Sequence, residues 1–221
     1  MRKSIKQFVR ICVEEFEMSE PIFEFGSLQV PGQEVFADLR PFFPNMNYVG
    51  FDMQEGPGVD VVINLLSNDL PAESAGAVLI MDTLEHVELP RKMIEEAYSV
   101  LRPGGMLVVG STMKSVIHCY PNDYWRFTPE GLKNLLQQFS QSFVGFAGEA
   151  DFPYAVVGIG IKETMVPMTR FLQRYTEWNK QWRYPEGSSW KGIVVSLAPK
   201  ILLNLCLIIR MILRKNYRKP E

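Results

Sequence analysis

Cysteine and histidine are scarce in this chain. The 221 residues hold three cysteines, Cys12, Cys119 and Cys206, far apart and none in a C-x-x-C pair. That excludes a disulfide framework and a zinc knuckle, and it points to a reducing compartment. The two histidines, His86 and His118, form no H-x-x-x-H pair, so no metal site is expected. Neither sign of charge dominates: 23 Lys and Arg face 25 Asp and Glu, for a net charge of -2, which argues against a general nucleic-acid binder. There is no internal repeat and no low-complexity tract, and the start MRKSIKQFVR lacks the apolar core and cleavage site of a signal peptide. The expected location is cytoplasmic. What is present is an ordinary globular composition, 47% hydrophobic, 22% charged and 12% aromatic, at a length that suits one domain with extensions. The exception is residues 200–221, which hold six of the bases and a single acid, Glu221.

Ile5, Phe8, Val9, Cys12, Val13 and Phe16 recur at spacings of three and four, so residues 4–18 are expected to form an amphipathic helix. After Pro21 the pattern becomes an alternation of element types. Ile22 to Phe25 and Tyr48 to Phe51 read as strands flanking a helix-like Gln33 to Arg40; Val59 to Ile63 and Ala77 to Met81 read as buried strands. Met93, Ile94, Ala97, Val100 and Leu101 mark a helix face, Arg102-Pro103-Gly104-Gly105 stops it, and Met106 to Gly110 restarts a strand. Leu132, Leu135, Leu136 and Phe139 give another helix. Phe143 to Phe146 and Tyr154 to Ile161 look like an antiparallel edge hairpin. The alternation implies an α/β fold, a doubly wound, mostly parallel sheet with that hairpin and helical extensions at both ends. The expected divisions are 1–19, 20–162, 163–191 and 192–221.

In such a sheet the chemistry sits at the carboxyl ends of the strands, where strand order reverses. Glu24-Phe25-Gly26-Ser27 ends a strand in a glycine that lets a ligand approach the backbone, and Asp52, ending the next strand, can accept both hydroxyls of an adenosine ribose. A dinucleotide site needs G-x-G-x-x-G to bring a pyrophosphate to a helix N-terminus. Here Leu28 occupies the second glycine position and Pro31 removes an amide. S-adenosylmethionine carries ribose and adenine without phosphate, and its ammonium group suits an acid such as Glu24, so the loop favours it over a dinucleotide.

Residues 20–160 resemble the class I S-adenosylmethionine-dependent methyltransferases, and among them the small bacterial type-11-like group. The resemblance is carried by Asp82-Thr83-Leu84-Glu85-His86-Val87, by Tyr98-Ser99-Val100-Leu101-Arg102-Pro103-Gly104-Gly105-Met106-Leu107, and by Asn68-Asp69-Leu70-Pro71. It implies a Rossmann-like methyltransferase fold and methyl transfer from a sulfonium donor. Glu24, Gly26 and Ser27 would then lie at the methionine end of the cofactor and Asp52 on its ribose. Met53, Leu66 and Ser67 would line the adenine pocket, with Asp82 near the reacting end. The stretch His118 to Glu130 resembles the "D-Y-x-R-x-T-x-x-G-L" segment at the active-site mouth of the same enzymes, which makes His118, Tyr124 and Arg126 the candidate catalytic or acceptor-binding residues. His118 would serve as a base for a hydroxyl acceptor, and His86 would fix the loop.

Beyond Ile161 the resemblance fades. Residues 163–182 are expected to form a helix with Met165, Met168, Phe171, Leu172, Tyr175 and Trp178 on one side, a stripe that either covers the acceptor site or, as methionine and aromatic stripes more often do, packs as core. Trp178, Trp182, Tyr184 and Trp190 then precede an apolar run from Ile193 to Leu213 with basic neighbours. Such rings are enriched at membrane interfaces, and Lys200, Arg210 and Pro199 favour a segment lying in the interface over one crossing it. A helix buried against the protein or a second copy is the competing expectation for residues 192–219. The sequence names no acceptor: a saccharide hydroxyl, free or lipid-linked, is the first expectation and a quinone-like lipid the second. From another class comes a noncatalytic membrane adaptor that keeps the fold. Peripheral attachment at the inner face of the cytoplasmic membrane follows from the tail alone.

Overall fold

The computed structural model describes residues 1–30, 32, 34–67, 69–118 and 122–185, and residues 1–183 form one unit. The expectations for Pro31, Asn68, Cys119 and Cys206, and those for Trp190 and the run Ile193 to Leu213, lie outside the described residues. Seven strands make one sheet: β1 (Ile22–Phe25), β2 (Tyr48–Asp52), β3 (Val61–Val62), β4 (Ala75–Met81), β5 (Leu101–Thr112), β6 (Gln141–Glu149) and β7 (Phe152–Ile161), in the order β3-β2-β1-β4-β5-β7-β6. The first five are parallel; β7 runs antiparallel to β5 and β6, which is the anticipated edge hairpin.

Each central strand is buried on both faces, and residue parity decides which core it feeds. On β4, Ala77, Leu79 and Met81 join the cluster beneath α1 (Lys3–Glu15) and α5 (Thr169–Gln181). Val78 and Ile80 join the opposite cluster, with Met93, Ile94 and Ala97 of α3 (Pro90–Val100) and Leu132 of α4 (Pro129–Leu135). Gly76, at the irregularity in β4, has no room for a side chain, because a Cβ there would lie 1.9 Å from the Ser19 carbonyl oxygen. Pro90 presets the first turn of α3. Thr128 caps α4 by accepting from the Gly131 amide at 3.0 Å.

The two terminal helices pack on each other. Phe8 meets Phe171 and Trp178 at centroid distances of 6.0 and 5.5 Å, and Arg174 reaches Glu14 and Glu15 at 2.6 and 3.1 Å. Trp178 is 1% exposed and donates its indole N–H to the Ser4 carbonyl at 2.9 Å; the Trp182 indole binds Gln7. Trp178 therefore belongs to the core and Trp182 is half-buried against it, so the helix pair, and not a membrane belt, holds both rings. A buried indole needs a partner for its N–H, and α1 supplies it.

Three local expectations also change. Val59 to Ile63 was expected as a buried strand, yet β3 is two residues long and Val62 is 55% exposed, since it pairs only with β2 at the sheet edge. The helix expected over Gln33 to Arg40 is one turn, α2 (Glu34–Ala37), followed by a 3₁₀ turn at Arg40–Phe42; Pro41 has no amide to donate to the Ala37 carbonyl, so the α-helix does not continue. Arg102 to Gly105 lie inside β5 instead of ahead of it, because Lys162 at the end of β7 exchanges backbone hydrogen bonds with Gly104 and Gly105. Among the described residues no helix is long and apolar enough to cross a membrane.

Candidate active site

Parallel strands bring the loops after β1, β2, β4 and β5 to one edge, and the order reverses between β1 and β4. A ligand crevice forms at such a reversal. On its β1 side the backbone is fixed at short range. Gly26 has φ +80, where an L side chain is strained, and a Cβ on it would lie 2.3 Å from the Thr83 side chain. The Thr83 hydroxyl lies 3.3 Å from the Phe25 carbonyl oxygen on β1 and 3.0 Å from the Met81 carbonyl oxygen on β4, so the loops after β1 and β4 are keyed together. The amides of Gly26 and Ser27 both donate to the Phe51 carbonyl, at 2.8 and 3.1 Å, and Gln29 donates to Pro57.

Asp52 stands at the end of β2. Its two oxygens accept from the Leu28 and Gln54 amides at 3.2 and 3.0 Å, one bond to each oxygen. A carboxylate oxygen has two acceptor positions, so each keeps one for a ribose hydroxyl. Met53 beside it is 66% exposed, an apolar side chain free to cover a flat ring. Leu66 packs against the α3 side of the core, whereas the Ser67 hydroxyl is engaged by Asn64 and Asp69. The Ser27 hydroxyl is buried without a partner among the described residues. Glu24 is buried within β1 and accepts from the Tyr48 hydroxyl at 2.7 Å. Burial pushes its carboxyl up to about 7, against the pull of that hydrogen bond and of Arg40. With a ribose acceptor, an apolar cover and a loop whose Leu28 stands where a pyrophosphate motif needs its second glycine, these residues fit S-adenosylmethionine.

The β4 and β5 side is built from side chains. Asp82 follows β4 at φ +48; its amide donates to Gly110 at 2.8 Å, one carboxylate oxygen lies 3.8 Å from the Met1 amino nitrogen, and the other is buried with no partner among the described residues. Glu85, 1% exposed, accepts the Ser111 hydroxyl at 2.6 Å. Burial first, and Asp82 second, raise its carboxyl to about 7. The Glu85 carbonyl accepts the Tyr124 and Trp125 amides at 2.8 and 3.2 Å, which seats the long loop after β5 on the turn after β4. His86 and His118 meet edge to face at 4.8 Å.

Within that loop Asp123 is the hub. Arg126 grips it with bonds of 2.6 and 2.8 Å, and the His118 amide donates to it at 2.8 Å. Arg126 holds its carboxyl well below the usual carboxylate range. Arg126 also donates to the Val116 carbonyl at 3.0 Å, so its guanidinium builds the loop. Tyr124, 47% exposed, donates to Asn122 at 3.2 Å, and Trp125 donates to the Val87 carbonyl at 2.9 Å.

Sequence reasoning assigned no chemistry to Thr83, Glu85 or Ser111, although Glu85 lies in the quoted Leu84-Glu85-His86 segment. An acid beside a histidine in a strand-end loop was the available signal. Glu85, His86 and His118 also offer ligand atoms that all lie within 4.8 Å of one another, a grouping that sequence spacing does not show. Spacing rules find ligands on one helix or loop; these come from two.

Residues 44–109, from just before β2 through most of β5, match the family model described as a methyltransferase domain, of type 11. Among solved structures, an S-adenosylmethionine-dependent methyltransferase of Archaeoglobus fulgidus is similar with a TM-score of 0.57 at 17% identity, covering 73% of this chain and 95% of its own. Another, from Thermotoga maritima and described as a possible histamine N-methyltransferase, gives a TM-score of 0.53 at 20% identity, covering 72% of this chain and 89% of its own. No curated protein matches the chain. At these identities the solved structures speak for the fold, which is the Rossmann-like methyltransferase fold. The domain match over residues 44–109 adds the chemistry, S-adenosylmethionine-dependent methyl transfer with S-adenosylmethionine as the cofactor.

Proposed function

We propose that the chain methylates a hydroxyl group of a small polar acceptor, a saccharide either free or lipid-linked, delivered under the loop after β5. The observation that carries this reading is the group of proton acceptors at the ends of β4 and β5: buried Glu85, with its carboxyl near 7, beside the imidazoles of His86 and His118. A sulfonium donor needs no activation, and placement of the acceptor supplies most of the rate. Thiol and ammonium acceptors shed a proton to water readily, whereas a hydroxyl is a far weaker acid and gains most from a base set beside it. In the step, the S–CH₃ bond breaks as the O–CH₃ bond forms, the hydroxyl proton passes to Glu85 or an adjacent imidazole, and S-adenosylhomocysteine leaves. The half-exposed rings of Tyr124 and Trp125 offer flat faces for a sugar ring beside that group.

The test is release of S-adenosylhomocysteine by the full chain over panels of hydroxyl, amine and thiol acceptors. Turnover confined to hydroxyl acceptors, rising with pH through the neutral range, is expected. Turnover only with amines or thiols overturns the hydroxyl reading, and failure to bind S-adenosylmethionine would return the noncatalytic adaptor. Membrane attachment through residues 192–219, at the inner face of the cytoplasmic membrane, belongs to the same proposal. Its support is the apolar, basic sequence of that run. Full-length chain should float with anionic liposomes, less so at high salt, while a chain ending near Trp190 stays behind.

A further inference from the structure

We infer that Glu85, His86 and His118 form a binding site for a divalent first-row metal ion, which holds the acceptor oxygen opposite the methyl donor. The inference rests on the hydroxyl reading above for its role, and on the side-chain geometry for its existence. Each of the three residues places a ligand atom within 4.8 Å of the other two. Donors on one tetrahedral ion at metal distances of 2.0–2.1 Å stand about 3.3 Å apart, so closure needs a shift of about 1.5 Å or less.

The imidazoles are set for the task. His86 Nδ1 lies 2.6 Å from the Asn122 carbonyl oxygen, and His118 Nδ1 lies 3.0 Å from the Val116 carbonyl oxygen. A carbonyl only accepts, so both Nδ1 atoms carry the proton and donate it, leaving both Nε2 atoms as lone-pair donors. Metal-bound histidines are oriented by this same bond from the second nitrogen to a carbonyl. His118 is steadied further by its amide bond to Asp123, and Glu85 by Ser111. Two imidazoles and a carboxylate suit Mn, Fe, Co or Zn better than Mg or Ca, which prefer all-oxygen shells.

With the cation bound, Glu85 is a ligand, and the cation takes over the lowering of the hydroxyl pKa. The acceptor oxygen binds it and releases its proton to water; the oxygen then forms the O–CH₃ bond as the S–CH₃ bond breaks. Charge and atoms balance, with S-adenosylhomocysteine, the methyl ether and one proton as products.

The experiment uses the full chain, freed of metal by chelation and titrated with Co²⁺ under observation of its visible absorption, with Zn²⁺ calorimetry beside it. One equivalent should bind with a nitrogen and oxygen spectrum and no cobalt–thiolate band. His86→Gln, His118→Gln and Glu85→Gln should each weaken binding by about 10- to 100-fold or more. His118 is partly exposed, so His118→Gln should keep the native circular dichroism and melting transition. S-adenosylmethionine affinity is measured on every sample. Cofactor binding without metal binding by the wild-type chain overturns the metal site and leaves the methyltransferase reading standing. Metal binding that persists in a His86→Gln/His118→Gln double variant, or that carries a thiolate band, places the ion elsewhere and overturns the site as well. Metal binding lost in the variants, in a chain that takes no S-adenosylmethionine, keeps the site and removes its role in methylation.

Discussion

The two halves of the crevice are fixed by different means. On the β1 and β2 side, the loop after Gly26 is held by backbone hydrogen bonds, by Asp52 and by a glycine with no space for a Cβ. On the β4 and β5 side, the rim is held by side chains: Arg126 on Asp123, His86 on Asn122, Ser111 on Glu85. A constant cofactor calls for a constant backbone, which tolerates little change. An acceptor site built from side chains on a long loop can change its chemistry without disturbing the sheet.

The contrast predicts a ranking of effects. The largest is expected at Gly26: Gly26→Ala puts a Cβ into the left-handed region and against Thr83, with a cost of about 2–5 kcal/mol in urea unfolding, and cofactor binding should fall with it. Thr83→Gly in the same chain should recover part of the loss. A cost below about 0.5 kcal/mol would mean that this loop yields easily, and the contrast between the halves would collapse.

Next comes Glu24, whose carboxyl sits at about 7 in the fold against an ordinary 4.5. The folded state binds this proton more tightly, so the contribution to stability is complete below the unfolded value. It is lost as pH rises through about 7, by on the order of 3 kcal/mol. Glu24→Gln keeps an acceptor for Tyr48 and should flatten that part of the stability profile between pH 4.5 and 7. An unchanged slope shows that Glu24 is not the group responsible.

Asp52→Ala should weaken S-adenosylmethionine binding by about 1.5–3 kcal/mol, about 10- to 150-fold, with turnover at saturating cofactor largely kept. Calorimetry decides it, and equal affinity removes the ribose role. The smallest effect is expected on the rim: Tyr124→Phe should lower turnover severalfold and leave cofactor affinity and melting temperature in place. If Tyr124→Phe weakens cofactor binding as much as Asp52→Ala does, the two halves are not separable.

Much of the sheet is legible in order. β1, β2, β4 and the Met106–Thr112 part of β5 are apolar runs bounded by glycine, proline or acids, and α3 shows its buried face at Met93, Ile94, Ala97 and Val100. β3 was misread because a valine pair looks alike at a sheet edge and in its centre; burial depends on what covers it. Trp178 takes the core place its helix stripe suggests, and the membrane-belt reading of Trp178 and Trp182 fails because their cover is α1, at the other end of the chain. At the site, Gly26 and Asp52 stand out because backbone conformation and strand-end position are local properties. Arg126 does not reveal from spacing alone that its charge is spent on Asp123.

The amino-acid sequence by itself determined the alternation of strands and helices, the turn at Gly26 and the acid at Asp52, because periodicity, glycine conformation and strand ends act over a few residues. Only the tertiary structure decided that α1 and α5 share one core, and that His118 comes to rest against Glu85 and His86. Those pairings join distant segments, and their energies come from burial and hydrogen bonds that exist only once the sheet has assembled.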